Sequence, residues 1–470
     1  NNMIIHGDNL EALKSLLPQY EGKIKCIYID PPYNTGNEGW IYNDNVNDPK
    51  IKKWLGEVVG KEGDDLSRHD KWLCMMYPRL VLLKKLLHPT QGVIFISIDE
   101  NEFANLKLMC NEIFNIANFV ISIAWQKRYS RENRGSIGDS HEYILVYATN
   151  PEIFKETRNY LPLTEKQLKA YSNPDNDPRG PWQSVSLLAQ GYRPNQMYEI
   201  VAPNGNVHLP PEGNCWKIVQ SEYERALLDN RITFGSDGNG VPRRKQFLNE
   251  SKGLVPWSWW PFDEVGHTDE AKKEMKAILG NITAFDTPKP VRLLKRIVHI
   301  ATKENSIILD SFAGSGTTAH AVLNINKSDG GNRKFILVEM GDYADTITAE
   351  RVKRVINGYG EGKNAVEGTG GNFSYYELGN PLFMKDGTIN DEVDITEVRK
   401  YVWYTETNGI EYKGDIQEKY FLGSYNDTAY YFYYEKDRVT ILDYEFLTSV
   451  HKKERAYVMY ADSCALSDSD

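Results

Sequence analysis

Apolar residues in the first third of the chain fall in short runs, at residues 3–5, 24–29, 93–98, 120–124 and 143–147. Between them, apolar positions recur at the three-and-four spacing of a helix face over 9–17, 77–87 and 102–114. Short unbroken apolar runs are what strands covered on both faces require. Their alternation with helices predicts an α/β fold, a largely parallel sheet with helices on both sides.

Past residue 150 the pattern breaks. Pro, Gly, Asn and Trp crowd residues 173–182 and 256–261, and helical spacing survives only at 221–228 and 270–279. Strand and helix then resume in turn: helix 290–300, strand 306–309, helix 317–324, strand 334–339, helix 344–357. The sheet is therefore expected to be built from two separated stretches, with an irregular module inserted between them. A glycine-rich break at 358–371 precedes a tail rich in Tyr and acid, where 430–434 reads as a strand.

The 470 residues, 41% of them hydrophobic, suffice for a large core and further domains. No run of about eighteen apolar residues is present, so no membrane span is expected. The five cysteines are scattered, without the close pairing that holds zinc, and no metal is expected. Free thiols of this kind suit a reducing, cytoplasmic setting. The net charge of -10 does not favour a nucleic-acid partner. Local basic groups do exist, at Lys127-Arg128 with Arg131 and Arg134, and at Arg243-Arg244-Lys245.

Two strand ends carry chemistry. Asp30-Pro31-Pro32-Tyr33 directly follows the run 24–29. Ligands of open α/β sheets sit beyond the carboxyl ends of the strands, so Asp30 and Tyr33 are expected in a cleft on a loop that the prolines stiffen. A carboxylate and a carbonyl can accept hydrogen bonds from an aromatic amine, and a tyrosine ring can stack on its base. Asp310-Ser311-Phe312-Ala313-Gly314-Ser315-Gly316-Thr317-Thr318 follows the strand 306–309 and opens a helix. Its glycines allow a sharp turn and close approach to a ligand. It lacks the Gly-Lys-Ser/Thr ending of a phosphate loop, and its spacing departs from the three-glycine dinucleotide fingerprint. Glu339, at the end of strand 334–339, is placed to accept from ribose hydroxyls.

In this order, with a long insert between the two motifs, these residues resemble the β class of DNA amino-methyltransferases over roughly residues 1–360. The resemblance implies a Rossmann-like S-adenosylmethionine-dependent methyltransferase fold and transfer of a methyl group to adenine N6 in a base flipped out of double-stranded DNA. It implies catalysis by Asp30, Pro31, Pro32 and Tyr33. It implies cofactor binding by Asp8, Lys289, Asp310, Phe312, Ala313, Gly314, Ser315, Gly316, Thr317 and Glu339, with Lys289 on the cofactor carboxylate. Trp125 corresponds to a position beside the flipped base, opposite Tyr33. Lys127, Arg128, Arg243, Arg244 and Lys245 are the expected DNA contacts.

The divisions that follow are a methyltransferase domain in two parts, 1–150 and 284–360, a target-recognition insert, 151–283, and a small C-terminal α+β region, 361–470. Within the class, Asp30-Pro31-Pro32-Tyr33-Asn34-Thr35-Gly36-Asn37, Arg68-His69-Asp70-Lys71-Trp72-Leu73 and Tyr77-Pro78-Arg79-Leu80 are similar to modification subunits of type III restriction-modification systems, as is the segment 401–407. That implies a homodimer and a restriction (nuclease and helicase) partner. Cytosine-N4 methylation is the alternative on the same fold, although Ser more often stands at the Asp30 position there. RNA or protein-glutamine methylation stays open, as does a DNA-recognition subunit with little activity of its own. Cytosine-C5 chemistry needs a thiolate, usually after proline, and no Cys follows Pro.

Overall fold

The computed structural model describes residues 1–35, 63–130, 136–280, 285, 287–384, 387–407, 410, 412–414 and 418–467, with side chains from residue 69 in the second stretch. Gly36, Asn37, Arg131 and Arg134, and the Arg68 side chain, lie outside them.

Nine strands form the main sheet: β1 (Met3–His6), β2 (Cys26–Ile29), β3 (Val93–Ile98), β4 (Phe119–Gln126), β5 (His141–Ala148), β6 (Trp259–Trp260), β7 (Ile307–Asp310), β8 (Lys334–Glu339) and β9 (Ser374–Glu377). Their order is β6-β4-β5-β3-β2-β7-β8-β1-β9. All neighbours pair in parallel except β5, which is antiparallel to both β3 and β4. Every residue of β2 and β3 is buried, as their unbroken apolar runs require. Each Ile or Val sealed in this way contributes roughly 1.5–3 kcal/mol.

Helices α1 (Asn9–Tyr20), α2 (Gly63–Leu86) and α3 (Phe103–Phe114) cover the first stretch of the sheet. Leu13, Trp72, Met76, Leu80, Leu106 and Cys110 pack on Ile27, Ile29, Ile94 and Ile96 to form the core. After the insert come α4 (Thr268–Leu279), α5 (Val291–Ala301), α6 (Thr317–Asp329) and α7 (Glu350–Asn357). The segment Ala344–Ala349 ahead of α7 is wound more widely than an α-helix.

Strands β2 and β7 are adjacent, with Ile27 opposite Leu309. From this seam the chain runs outward in opposite senses, β2 to β3 on one side and β7 to β8 on the other. The loops after β2 and β7 therefore part at their carboxyl ends and open a crevice, which is where sheets of this kind take ligands.

The chain divides into two compact units, Tyr160–Pro256 and all the rest. The inserted unit is narrower than the expected 151–283. Trp259 and Trp260 pair in parallel with β4 as the edge of the main sheet, and Trp260 is buried there. The inserted unit has a three-stranded antiparallel sheet (Ile232–Thr233, Arg243–Phe247, Trp182–Ser186) and a helix, Gln220–Leu228. Its own core is Leu187, Ile200, Trp216, Tyr223, Ile232 and Phe234. In the tail, helix Ile395–Thr407 packs Val398 and Trp403 on strands Phe421–Tyr425 and Thr428–Phe432. The strand expected at 430–434 begins two residues earlier. Among the described residues no helix is long and apolar enough to cross a membrane.

Candidate active site

Asp30 leaves the carboxyl end of β2 and meets Lys289. The ammonium lies 2.8 and 2.7 Å from the two carboxylate oxygens. It also donates to the Tyr33 hydroxyl at 3.0 Å and stands 3.7 Å from Glu142 Oε2. The Tyr33 oxygen lies 2.8 Å from Asp30 Oδ1 and 3.1 Å from Glu142 Oε2, so its single proton has two carboxylate acceptors. Lys127 closes the series, 3.3 Å from Glu142 and 2.8 Å from Asp139. Burial, reinforced by Asp30 and Glu142, raises the Tyr33 hydroxyl well above its ordinary range and keeps it protonated. Burial works against the Lys289 ammonium, but Asp30 and then Glu142 outweigh it and hold the group above an ordinary lysine.

The loop is anchored on both sides. Trp72 Nε1 donates to the Pro32 carbonyl at 2.6 Å. Asn34, at φ +59°, donates to the fully buried Glu102, which also holds His69 at 2.6 Å and Asn105 at 2.9 Å. The stretch containing His69 and Trp72 thus braces the loop from α2.

The glycine loop lies across the seam. Gly314 (φ +51°) and Gly316 (φ +77°) take left-handed conformations. A Cβ on Gly314 would sit 2.9 Å from the Phe285 ring, and one on Gly316 would sit 3.1 Å from the Thr348 carbonyl. Glu339, at the end of β8, accepts from Gly314 N at 2.7 Å and Gly341 N at 2.8 Å. Burial pushes its carboxyl up, and those backbone groups pull it only partly back. Asp310 accepts from Phe312 N and the Thr318 hydroxyl, and burial pushes it up to about 7. Buried Arg351 stands behind the loop, donating to Ser315 Oγ at 2.9 Å and Thr317 Oγ1 at 2.8 Å. Thr317 in turn donates to the Lys289 carbonyl at 3.2 Å, joining the two halves of the site. Ala313 is fixed by donating to the Val338 carbonyl.

The acids Asp310 and Glu339 and the backbone line the front of this loop, Arg351 is committed to its hydroxyls behind it, and the buried Ser311 hydroxyl lacks a partner among the described residues. Glu339 also faces the Tyr343 hydroxyl, which a ligand hydroxyl would share or displace. Such a set of acceptors suits a ligand with hydroxyls and a positive charge, and it is wrong for a triphosphate. It fits S-adenosylmethionine.

Several expected residues are engaged within the protein. Asp8 caps α1, accepting from Leu10 N and Glu11 N, and pairs with Arg79 at 3.4 Å. Lys289 lies on Asp30. Trp125 is 1% exposed, donates Nε1 to the Gly266 carbonyl, and reaches the cluster as a ring 5.8 Å from the Lys289 ammonium. Its ring offers no open face for stacking. Lys127 is turned inward to acids, whereas Arg128 is exposed. In the inserted unit Arg243 and Arg244 are exposed. Lys245 is 3% exposed, paired with Asp175 and lying over the Trp182 ring, so it is a buried structural cation and not a phosphate contact. Glu142, Arg351 and Glu102 were not anticipated. Glu142 had a weak signal, a carboxylate at the mouth of an otherwise apolar strand.

A family profile described as DNA methylase matches residues 24–350. The StyLTI Mod subunit, a type III restriction-modification enzyme of Salmonella typhimurium, is 38% identical over 391 residues, covering 76% of this chain and 57% of that protein. The EcoPI Mod subunit of Escherichia phage P1, also type III, is 35% identical over 382 residues, covering 72% and 57%. The type II methyltransferase M.KpnI of Klebsiella pneumoniae is 32% identical over 353 residues, covering 72% of this chain and 80% of the relative. The chain therefore spans little more than half the length of the two Mod subunits.

Proposed function

The chain belongs to the DNA methylase family, and on that premise we propose that it transfers a methyl group from S-adenosylmethionine to the N6 amine of an adenine flipped out of double-stranded DNA. The observation that carries this reading is the placement of Asp30 and Tyr33 at the seam between β2 and β7, joined to the glycine loop through Thr317 and Lys289.

The flipped base enters beside Tyr33, whose ring supplies a stacking face in return for the few kcal/mol that flipping costs. Asp30 accepts a hydrogen bond from the amine and draws its lone pair out of conjugation with the ring. Trp72 takes the Pro32 carbonyl, so the Pro31 carbonyl is the second acceptor offered to the amine. Both acceptors face the nitrogen where positive charge develops, the arrangement that lowers such a barrier most. S-adenosylmethionine, when bound, supplies an electrophilic methyl group on a sulfonium. Glu339 would hold its ribose hydroxyls and Gly314 and Gly316 would let the backbone close on it, whereas Lys289, seated on Asp30 beside Glu142, serves the carboxylate cluster and not the cofactor.

Two of the relatives are named as Mod subunits of type III enzymes. Those names support a modification subunit of a restriction-modification system, and we infer further that it recognises the target and works as a homodimer in the cytoplasm with a restriction partner. The unit Tyr160–Pro256 is the target reader with Arg243 and Arg244 as its phosphate contacts, and Arg128 is a phosphate contact of the main unit.

The test is incubation of adenine-unmethylated genomic DNA with the protein and S-adenosylmethionine, beside Asp30→Ala, followed by single-molecule mapping of modified bases. N6-methyladenine confined to one short motif and lost in the variant supports the proposal. N4-methylcytosine overturns the substrate, and full activity in the variant overturns the site.

A further inference from the structure

Asp30 is found with both oxygens on the Lys289 ammonium. A carboxylate neutralised in this way is a poor acceptor for a weakly polarised amine. For Asp30 to serve the adenine, Lys289 has to move off it. Lys289 is 9% exposed, and a buried ammonium that leaves one carboxylate without reaching another is left as an uncompensated buried charge.

Among the described residues, one other carboxylate stands within reach. Glu142 Oε2 is 3.7 Å from the ammonium, so a shift of about 1 Å brings the pair to charge-assisted hydrogen-bond distance. Glu142 is itself fixed: Lys127 holds Oε1, Asp139 holds Lys127, and the Tyr33 hydroxyl lies 3.1 Å from Oε2. Tyr33 thus touches both seats of the ammonium and keeps its orientation in either state.

We propose that Glu142 is a positioning residue that takes over the Lys289 ammonium when Asp30 turns to the adenine amine. The inference rests on the role given to Asp30 above. Glu142 does not touch the base. It acts through Lys289, and the free protein holds its acceptor masked until the ammonium changes seat.

Two measurements test this. In a crystal structure of the ligand-free Asp30→Asn variant, the ammonium is expected to close on Glu142 Oε2 to about 2.8 Å. An ammonium that turns out to solvent, or stays at its present distance from Glu142, overturns the proposal. The second measurement is a single-turnover rate cycle with Glu142→Gln and Lys289→Gln. Glu142→Gln alone is expected to slow methyl transfer by about tenfold or more with the KM for DNA within about twofold. In the Lys289→Gln background the same change is expected to have an effect within about twofold, because no ammonium is left to seat. Equal losses in both backgrounds would mean a purely structural glutamate and overturn the proposal, as would an unaltered rate in the single variant. A wild-type protein that methylates no DNA refutes the proposed function instead, and the Asp30→Asn structure still decides whether the ammonium exchanges seats.

Discussion

Asn9, the first residue of α1, donates its side-chain amide to the Ser311 carbonyl at 3.1 Å, across a sequence separation of 302. The same amide accepts from the buried Arg79 guanidinium. One small polar side chain thus ties the start of the first chain stretch to the start of the glycine loop and to α2. Asn9→Ala leaves a buried guanidinium N–H without this acceptor, which costs about 1–3 kcal/mol. The urea midpoint is expected to fall at unchanged slope, and calorimetry is expected to show weaker S-adenosylmethionine binding. A variant with native cofactor affinity would show that the tie does not support the loop.

Gly316 is left-handed at the start of α6, close to the Thr348 carbonyl, whereas Gly330 is left-handed at the end of α6 with nothing near its missing Cβ. Gly316→Ala and Gly330→Ala should therefore each cost about 1–2 kcal/mol in backbone strain. Only the first should weaken cofactor binding. Paired melting and binding curves check this, and equal binding losses would contradict it.

Asp310 carries a proton up to about pH 7 in the native chain, while an unfolded aspartate releases its proton near about pH 4. Between those values the native state holds the extra proton, so the residue's contribution to stability declines as pH rises and is level above the native value. The full decline is on the order of 4 kcal/mol. Asp310→Asn is expected to flatten the fall in urea midpoint between about pH 4 and about pH 7. A variant with the same slope would place the titration elsewhere.

Arg244 and Lys245 are neighbours on one strand and point to opposite faces, as β geometry requires. Arg244→Ala is expected to leave the melting curve unchanged and to lower the salt slope of DNA binding by about one. Lys245→Met is expected to lower the unfolding temperature by removing the cation from Asp175 and Trp182. Its effect on DNA should follow unfolding and not the salt slope.

The same pair shows what sequence carries. Lys245 shares a strand face with Phe247, two positions on, so alternation already marked it as inward-facing; reading the three basic residues as one cluster obscured that. The Asp30–Tyr33 and Asp310–Thr318 motifs were legible because each is contiguous and follows a strand end, where topology alone puts a ligand. Asp30 and Lys289 were legible separately, but not their contact, since 259 positions separate them and only the packed sheet brings them together. Glu142 and Arg351 were silent for the same reason: a buried charge is interpretable only with its partners. Trp125 could not be assigned from pattern, because an apolar position suits a core ring and a stacking ring equally. The edge strand Trp259–Trp260 was hidden by its prolines and its brevity.

The pairing of Ile27 with Leu309 closes a loop of about 280 residues. Closure entropy grows only with the logarithm of that length, so the equilibrium penalty is modest. The kinetic consequence is larger, because contacts so distant in sequence form late. During synthesis β2 and β3 exist long before β7 leaves the ribosome. Until then the Asp30 loop has no neighbour across the seam, and a nascent or prematurely terminated chain carries half a crevice. The crevice is therefore completed only with the folding of the second stretch, all at once.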